Sequence, residues 1–224
     1  YHDQAKQGTS RTPTRPIFHD FRLNIPARQR VAIMGGIGSG KSSLAQLMLR
    51  LQCHQSGTIR LNGHDTTRLS LQSLRTSITY VPQHPRLFDR TLWENIAYGN
   101  DALTPRAVYE ILDTLGMREL TREFQLKMYH SVGKQGSRLS GGQRQMVWLL
   151  RALFDRRAHV LILDEPTSSL DRLSRAQVIR MIEQIARDRT LIIITHDHDL
   201  LSLVDRVVHL ERGAIVDDRR VSKR

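Results

Sequence analysis

The sequence predicts an α/β fold with a mainly parallel sheet, and three observations predict it. Short apolar, β-prone runs recur as RVAIMG, TIRLNG, SITYVPQ, HVLILDE and LIIITH. Helical patterns fall between or after them at residues 40–52, 104–115, 140–155 and 172–186. Strands alternating with helices need crossover connections, and crossovers make neighbouring strands parallel. Third, a last pair of runs, RVVHL and AIV, flanks the turn ERG, which predicts an antiparallel β edge.

Each element has its place in that scheme. RVAIMG leads through a glycine-rich turn into the helix at 40–52, and HVLILDE and LIIITH are four-residue apolar cores of buried strands. The interval from Leu92 to about Arg156 breaks the alternation: it is helical in pattern and holds no convincing strand. The expected organisation is therefore a core with a β edge, residues 1–91 and 157–224, and an inserted α-helical subdomain, residues 92–156. The charged tail DDRRVSKR is expected to fray.

With 224 residues, 39% hydrophobic and 25% charged, the chain can bury one large core or a core with a side lobe. No stretch approaches the roughly 18–20 consecutive apolar residues of a membrane-spanning helix. The opening YHDQAKQGTSRTPTRP is polar and begins without Met, so the chain reads as part of a longer polypeptide. The single cysteine, Cys53, excludes an internal disulfide framework, fits a reducing compartment and is expected to pack within a helix. A net charge of +12 admits nucleic acid, an anionic membrane surface or a polyanionic ligand as partner. The arginines are spread along the chain without interleaved aromatics, so direct nucleic-acid binding is not expected, and a basic surface near a membrane is the simpler reading.

Four constellations, with Gln83 beside the third, carry chemistry. VAIMGGIGSGKSS matches G-x-x-x-x-G-K-[ST] in the strand–loop–helix context that makes the pattern a phosphate site. Gly35, Gly36, Ile37, Gly38, Ser39 and Gly40 form the loop, whose N–H groups can surround phosphate oxygens at a helix N-terminus. Lys41 reaches the β and γ phosphates, Ser42 offers a hydroxyl to Mg2+, and Ser43 follows on the helix. In HVLILDEPTSSLD, Asp164 would orient the magnesium and Glu165 would polarise an attacking water; two acids that merely cap the next helix would not explain why the pair follows a phosphate loop. In LIIITHDHD, His196 stands where a γ-phosphate sensor would; read instead as metal ligands, His196, Asp197, His198 and Asp199 lack a supporting cysteine or histidine pattern. Gln83 ends the strand SITYVPQ, where its amide could touch both metal and lytic water. The fourth, RLSGGQRQ, opens an amphipathic helix with small residues and makes a second anion site.

The set GGIGSGKS, Gln83, LSGGQ, LILDE, SSLD and TH resembles the nucleotide-binding domain of an ATP-binding cassette (ABC) protein, from about Ile17 to Asp217 and in that family's order. The resemblance implies a P-loop core, binding and hydrolysis of ATP with Mg2+, and a second cassette as partner. It implies that Ser140, Gly141, Gly142 and Gln143 of one domain close over the γ-phosphate held by another, with Asp171 at the dimer seam and an upstream aromatic, here Tyr1, stacking on adenine. HPRLFDRTLWENIAYG and SVGKQGSRLSGGQRQ resemble the exporter version, which implies a transmembrane domain in the same or an associated chain and a place on the cytoplasmic face of a membrane. Two positions depart from the pattern: Lys134 stands where a glutamate is common, and Ile37 replaces a small polar residue of the loop. The alternative is a soluble ABC ATPase acting on nucleic acid or ribosomes.

Overall fold

The computed structural model describes residues 17–168 and 170–221. A six-stranded sheet forms its centre. In chain order its strands are β1 (Arg30–Met34), β4 (Ile78–Val81), β5 (Val160–Asp164), β6 (Thr190–Ile194), β7 (Arg206–Glu211) and β8 (Ala214–Arg220); β2 (Arg60–Leu61) and β3 (His64–Asp65) form a separate hairpin. The spatial order is β4-β5-β6-β1-β7-β8, parallel throughout except for the antiparallel pair β7–β8. Because β4, β5, β6 and β1 run the same way, their C-terminal ends share one edge of the sheet, and the loops that leave that edge carry the sequence motifs.

Side-chain alternation divides the core in two. Val31 and Ile33 of β1, Ile162 of β5 and Ile192 and Ile194 of β6 pack on one face with Leu44 and Ala45 of α1 (Lys41–Met48). Phe18, Phe21, Leu23 and Ile25 lie against that same cluster. Ala32, Leu161, Leu163 and Ile193 face the other way, onto α6 (Gly141–Phe154) and α7 (Arg172–Ile185) through Met146, Leu150, Met181 and Ile182. The remaining helices are α2 (Leu71–Ser77), α3 (Leu92–Ile96), α4 (Pro105–Thr114) and α5 (Arg118–Lys127). Phe124, Leu112 and Val108 extend the second cluster into the helical region. Among the described residues no helix is long and apolar enough to cross a membrane.

Local chemistry sets most boundaries where the sequence puts them. Thr104 caps α4 by accepting from the Ala107 N–H at 3.3 Å, with Pro105 at the first helical position. Asn62 and Gly63, both at positive φ, close the β2–β3 hairpin.

Three expectations are corrected. The first helix stops at Met48, not residue 52, because Arg50 takes a left-handed φ of 51°. The Leu51 and Arg50 N–H groups then bond back to Gln46 and Leu47 at 2.8 and 3.0 Å, a helix-terminating pair. The Arg50 guanidinium holds the kink by donating to the Thr66 and Leu69 carbonyls. Cys53 consequently lies beyond the helix and is exposed, not packed within it. Finally, the start of the charged tail does not fray: Asp217–Arg220 belong to β8, and the Arg206 guanidinium donates to both carboxylate oxygens of Asp218 at 2.7 and 2.6 Å.

Candidate functional site

Residues 35–40 connect β1 to α1 by a path that only glycine follows easily. Gly35, Gly38 and Gly40 have φ of 150°, 78° and 103°. A Cβ on Gly35 would lie 2.3 Å from the Leu210 carbonyl oxygen, so β7 itself excludes a side chain there. Gly40 begins α1 with no side-chain cap, which leaves the first-turn N–H groups available to an anion. Lys41 Nζ donates to the carbonyls of Gly35 and Gly36 at 2.7 and 2.8 Å. The ammonium is thereby held across the hollow of the loop.

Asp164 is the last residue of β5 and is buried. Its Oδ2 accepts from the Tyr80 hydroxyl at 3.1 Å, while its buried Oδ1 has no partner among the described residues. Burial pushes the Asp164 carboxyl above the usual carboxylate range, with Glu165 adding to the effect and Tyr80, Lys41 and Ser42 opposing it. Burial, then the neighbouring Asp164 charge, pushes the Tyr80 phenol upward. An orphaned carboxylate oxygen beside the Ser42 hydroxyl and the Gln83 amide is a hard-oxygen donor set, and it fits Mg2+, which takes one or two carboxylates and completes its shell with phosphate and water.

That strain yields a test. Folding raises the Asp164 proton affinity, so its contribution to stability is favourable in acid and falls as pH rises through the unfolded and then the folded value. Asp164→Asn is therefore expected to raise the melting temperature of the nucleotide-free protein at pH 7 by about 2–4 °C per kcal/mol relieved, with the gain shrinking toward pH 4. Turnover of Mg–ATP is expected to fall ~100-fold in the same variant. Scanning calorimetry at several pH values, alongside phosphate release, checks both signs.

Glu165 follows at φ 46°, a left-handed backbone unusual for a non-glycine residue. Its N–H donates to the Ile194 carbonyl at 2.8 Å, and its Oε1 lies 2.9 Å from His196 Nδ1. The His196 side chain is 73% exposed and that of Glu165 only 11%, so the imidazole stands at the cleft mouth over a recessed carboxylate. Ser39, Gly40, Lys41, Ser42, Gln83, Asp164, Glu165 and His196 all line this one cleft of about 480 Å³, with Ile17, Ile37, Gly38 and Ser43 completing its wall.

The second anion motif is built elsewhere. Ser140 Oγ accepts from the Gln143 N–H at 3.1 Å and Gln143 Oε1 accepts from the Ser140 N–H at 2.9 Å, a reciprocal cap on α6. A Cβ on Gly142 would meet Ser174 Oγ at 2.8 Å, so this glycine lets α6 pack on α7. Asp171 caps α7, accepting from the Leu173 and Ser174 N–H groups at 3.0 Å and from Ser174 Oγ at 2.7 Å. None of Ser140, Gly141, Gly142 and Gln143 lines the cleft of Lys41 and Glu165; Gly141 faces a neighbouring cleft with His84, Arg86, Lys134 and Arg144, and Gln83 lines both clefts.

The profile of the family described as ABC transporter matches residues 18–168. The chain belongs to the ABC transporter family. It is 35% identical over 205 residues to ABC transporter B family member 24, mitochondrial, of Arabidopsis thaliana, covering 92% of this chain and 30% of that protein. A multidrug efflux ATP-binding/permease protein of Mycobacterium bovis is 36% identical over 203 residues, 91% of this chain and 17% of its own length. A bacterial Atm1-family ABC exporter solved with ATP bound superimposes with a TM-score of 0.83 at 30% identity, covering 95% of this chain and 37% of that one. The ABC domain here is thus of the exporter type and its enzymatic class is ATP hydrolase. It spans 17–37% of the length of these relatives. These exporters do not favour a soluble ABC protein acting on nucleic acid or ribosomes.

Sequence reasoning passed over some residues the fold recruits. Tyr80, Thr167 and Asn95 lie in motif-bearing segments, but their partners Asp164, Asp197 and Arg151 are distant in sequence, and no local pattern announces them. The alternative of a metal centre at His196–Asp199 is not formed: among the described residues no group of three or more His, Cys, Asp or Glu side chains can hold a metal. Asp197 instead accepts from Thr167 Oγ1 at 2.7 Å. Tyr1 and Ser169 lie outside the described residues.

Proposed function

We propose that this ABC domain is the cytoplasmic motor of an exporter, closing with a second ABC domain around two ATP–Mg2+ and passing the motion to a transmembrane domain. The observation that carries the reading is the single cleft that gathers Lys41, Ser42, Gln83, Asp164, Glu165 and His196 while leaving the Ser140–Gln143 cap outside it. Lys41 and the loop N–H groups would hold the β and γ phosphates. Ser42, Asp164 and Gln83 would hold Mg2+, which when bound supplies charge neutralisation at those phosphates. Glu165 would accept the proton of the attacking water, with His196 fixing its carboxylate and meeting the γ-phosphate. Ser140 and the glycines after it would reach the cleft of a second copy, since their helix end supplies the N–H groups that terminal phosphate still lacks.

A groove of about 1060 Å³ between β4 and the helical region supports the transmembrane partner. The Phe88 and Tyr98 rings lie 4.8 Å apart at a tilt of 37°, and the Arg151 guanidinium sits 5.7, 5.6 and 5.0 Å from the rings of Phe88, Tyr98 and Trp148. Asn95 ties the segment down, donating to the Phe88 and Thr91 carbonyls and accepting from Arg151 Nη2 at 2.9 Å. Phe88 and Tyr98 remain 45% and 60% exposed, a rigid aromatic face of the kind that anchors interfaces. In the full-length protein, Tyr98→Asp is expected to abolish transport-coupled stimulation of ATP turnover, while the isolated domain carrying the same change stays within about twofold of its own basal rate. Unimpaired stimulation in the variant would remove this groove from the coupling path.

A further inference from the structure

Glu165 and His196 sit on two different loops, after β5 and after β6, yet must stay within hydrogen-bond distance of each other. Glu165 is also held in a left-handed conformation, which persists only where surrounding contacts enforce it. Its backbone is fixed on one side by Ile194, the last residue of β6, and on the other by Ser168, whose N–H and Oγ both donate to the Glu165 carbonyl. The bond to Ile194, and the Glu165–His196 contact itself, join the base of the β5 loop to the end of β6. Thr167 adds a tie farther out, toward the loop tips. Its side chain is buried, and its Oγ1 donates to Asp197 Oδ2 at 2.7 Å, a short charge-assisted bond between the two loops.

Among the described residues, the other hydrogen bonds and ion pair of Asp197 serve the same junction. Its N–H donates to Thr195 Oγ1 at 2.9 Å, and that hydroxyl lies 3.5 Å from Glu165 Oε2. Its Oδ1 accepts from the Asp199 N–H at 3.0 Å, which braces the turn beyond His196. Arg175, in the first turn of α7, pairs with both Asp197 and Asp199 at 3.4 Å. Asp171 caps that same helix end, so the junction extends from the hydrolytic pair to the N-terminus of α7.

We propose that Asp197 is a positioning residue for ATP hydrolysis: through Thr167 it fastens the loop of Glu165 to the loop of His196, and through Arg175 it joins both to α7. The proposal rests on the reading that Glu165 and His196 act on the nucleotide. Deleting the carboxylate strands the buried Thr167 hydroxyl without an acceptor and removes the outer tie that fixes the two loops against each other. A displacement of about 1 Å at a reacting centre is enough for losses of up to ~100-fold.

The test is steady-state ATP turnover by the full-length protein. Asp197→Ala is expected to lower kcat by roughly 10- to 100-fold with the KM for ATP within about threefold of the original, because the phosphate loop is untouched. Thr167→Val is expected to match it, Thr167→Ser to retain most activity, and the Asp197→Ala/Thr167→Val double variant to be no slower than the worse single one. Should Asp197→Ala fail to fold, Asp197→Asn, which keeps an acceptor for Thr167, and the Val/Ser pair at position 167 carry the comparison. The proposal is overturned by a kcat within twofold of the original in Asp197→Ala or Thr167→Val, by Thr167→Ser falling as far as Thr167→Val, or by losses that multiply in the double variant. Glu165→Gln run in parallel separates the two levels. If it turns over normally, the hydrolytic assignment fails; if it is inactive while Asp197→Ala is normal, only the positioning role does.

Discussion

Glu165→Gln is expected to lower ATP turnover about 1000-fold while ATP affinity stays within a few-fold. The change keeps the side chain's volume and an oxygen that can still accept from His196 Nδ1, now 2.9 Å from Glu165 Oε1. What it removes is the capacity to take a proton from water, which general-base catalysis places at roughly 10²–10⁴-fold. Lys41, proposed to hold phosphate, bonds to the Gly35 and Gly36 carbonyls and Ser39 Oγ and not through the altered group. Binding therefore survives the loss of chemistry, and the ATP-bound pair of domains should accumulate and elute as a dimer in size-exclusion chromatography. Native turnover in this variant would strip Glu165 of its role.

Mixing two inactive variants is expected to restore turnover. Lys41→Ala removes the phosphate grip, and Ser140→Arg blocks the helix cap, at a stability cost of about 1 kcal/mol for the lost cap. If the cap serves the cleft of its own chain, every chain in the mixture is defective and nothing returns. If it serves a second copy, a mixed pair concentrates both defects in one site and leaves the other intact. Random pairing then predicts recovery to roughly a quarter of the original rate, rising with protein concentration. The prediction depends on the fold keeping the cap on α6 out of the chain's own cleft. A mixture that stays inactive while each variant still dimerises would refute service in trans.

The two anion sites differ in how far the sequence describes them. The phosphate loop is local: six residues, a lysine and a hydroxyl follow one strand, and their backbone conformations and N–H groups are set within that span. Asp164, Glu165, His196 and Gln83 were readable for a related reason, since each ends or closely follows an apolar run, and parallel strands bring such ends to one edge. Where a terminating contact comes from far along the chain, pattern reading slipped. Arg50 ends α1 early because Thr66 and Leu69 receive its guanidinium, and Arg206 draws Asp218 of the charged tail into β8.

By itself, then, the sequence determined the strand–helix alternation, the antiparallel edge and most of the residues that line the cleft, because these follow from periodicity and from residues adjacent in the chain. Only the tertiary structure decided that Asp164 keeps one buried oxygen unpaired beside Tyr80, that Glu165 adopts a left-handed backbone against His196, and that Asp197 fastens the two loops through Thr167. It also decided that Phe88, Tyr98, Trp148 and Arg151 converge on one groove. The physical reason is common to all of these: desolvation, strain and hydrogen-bond pairing depend on which atoms packing brings together, and in each case the partners come from separate segments of the chain.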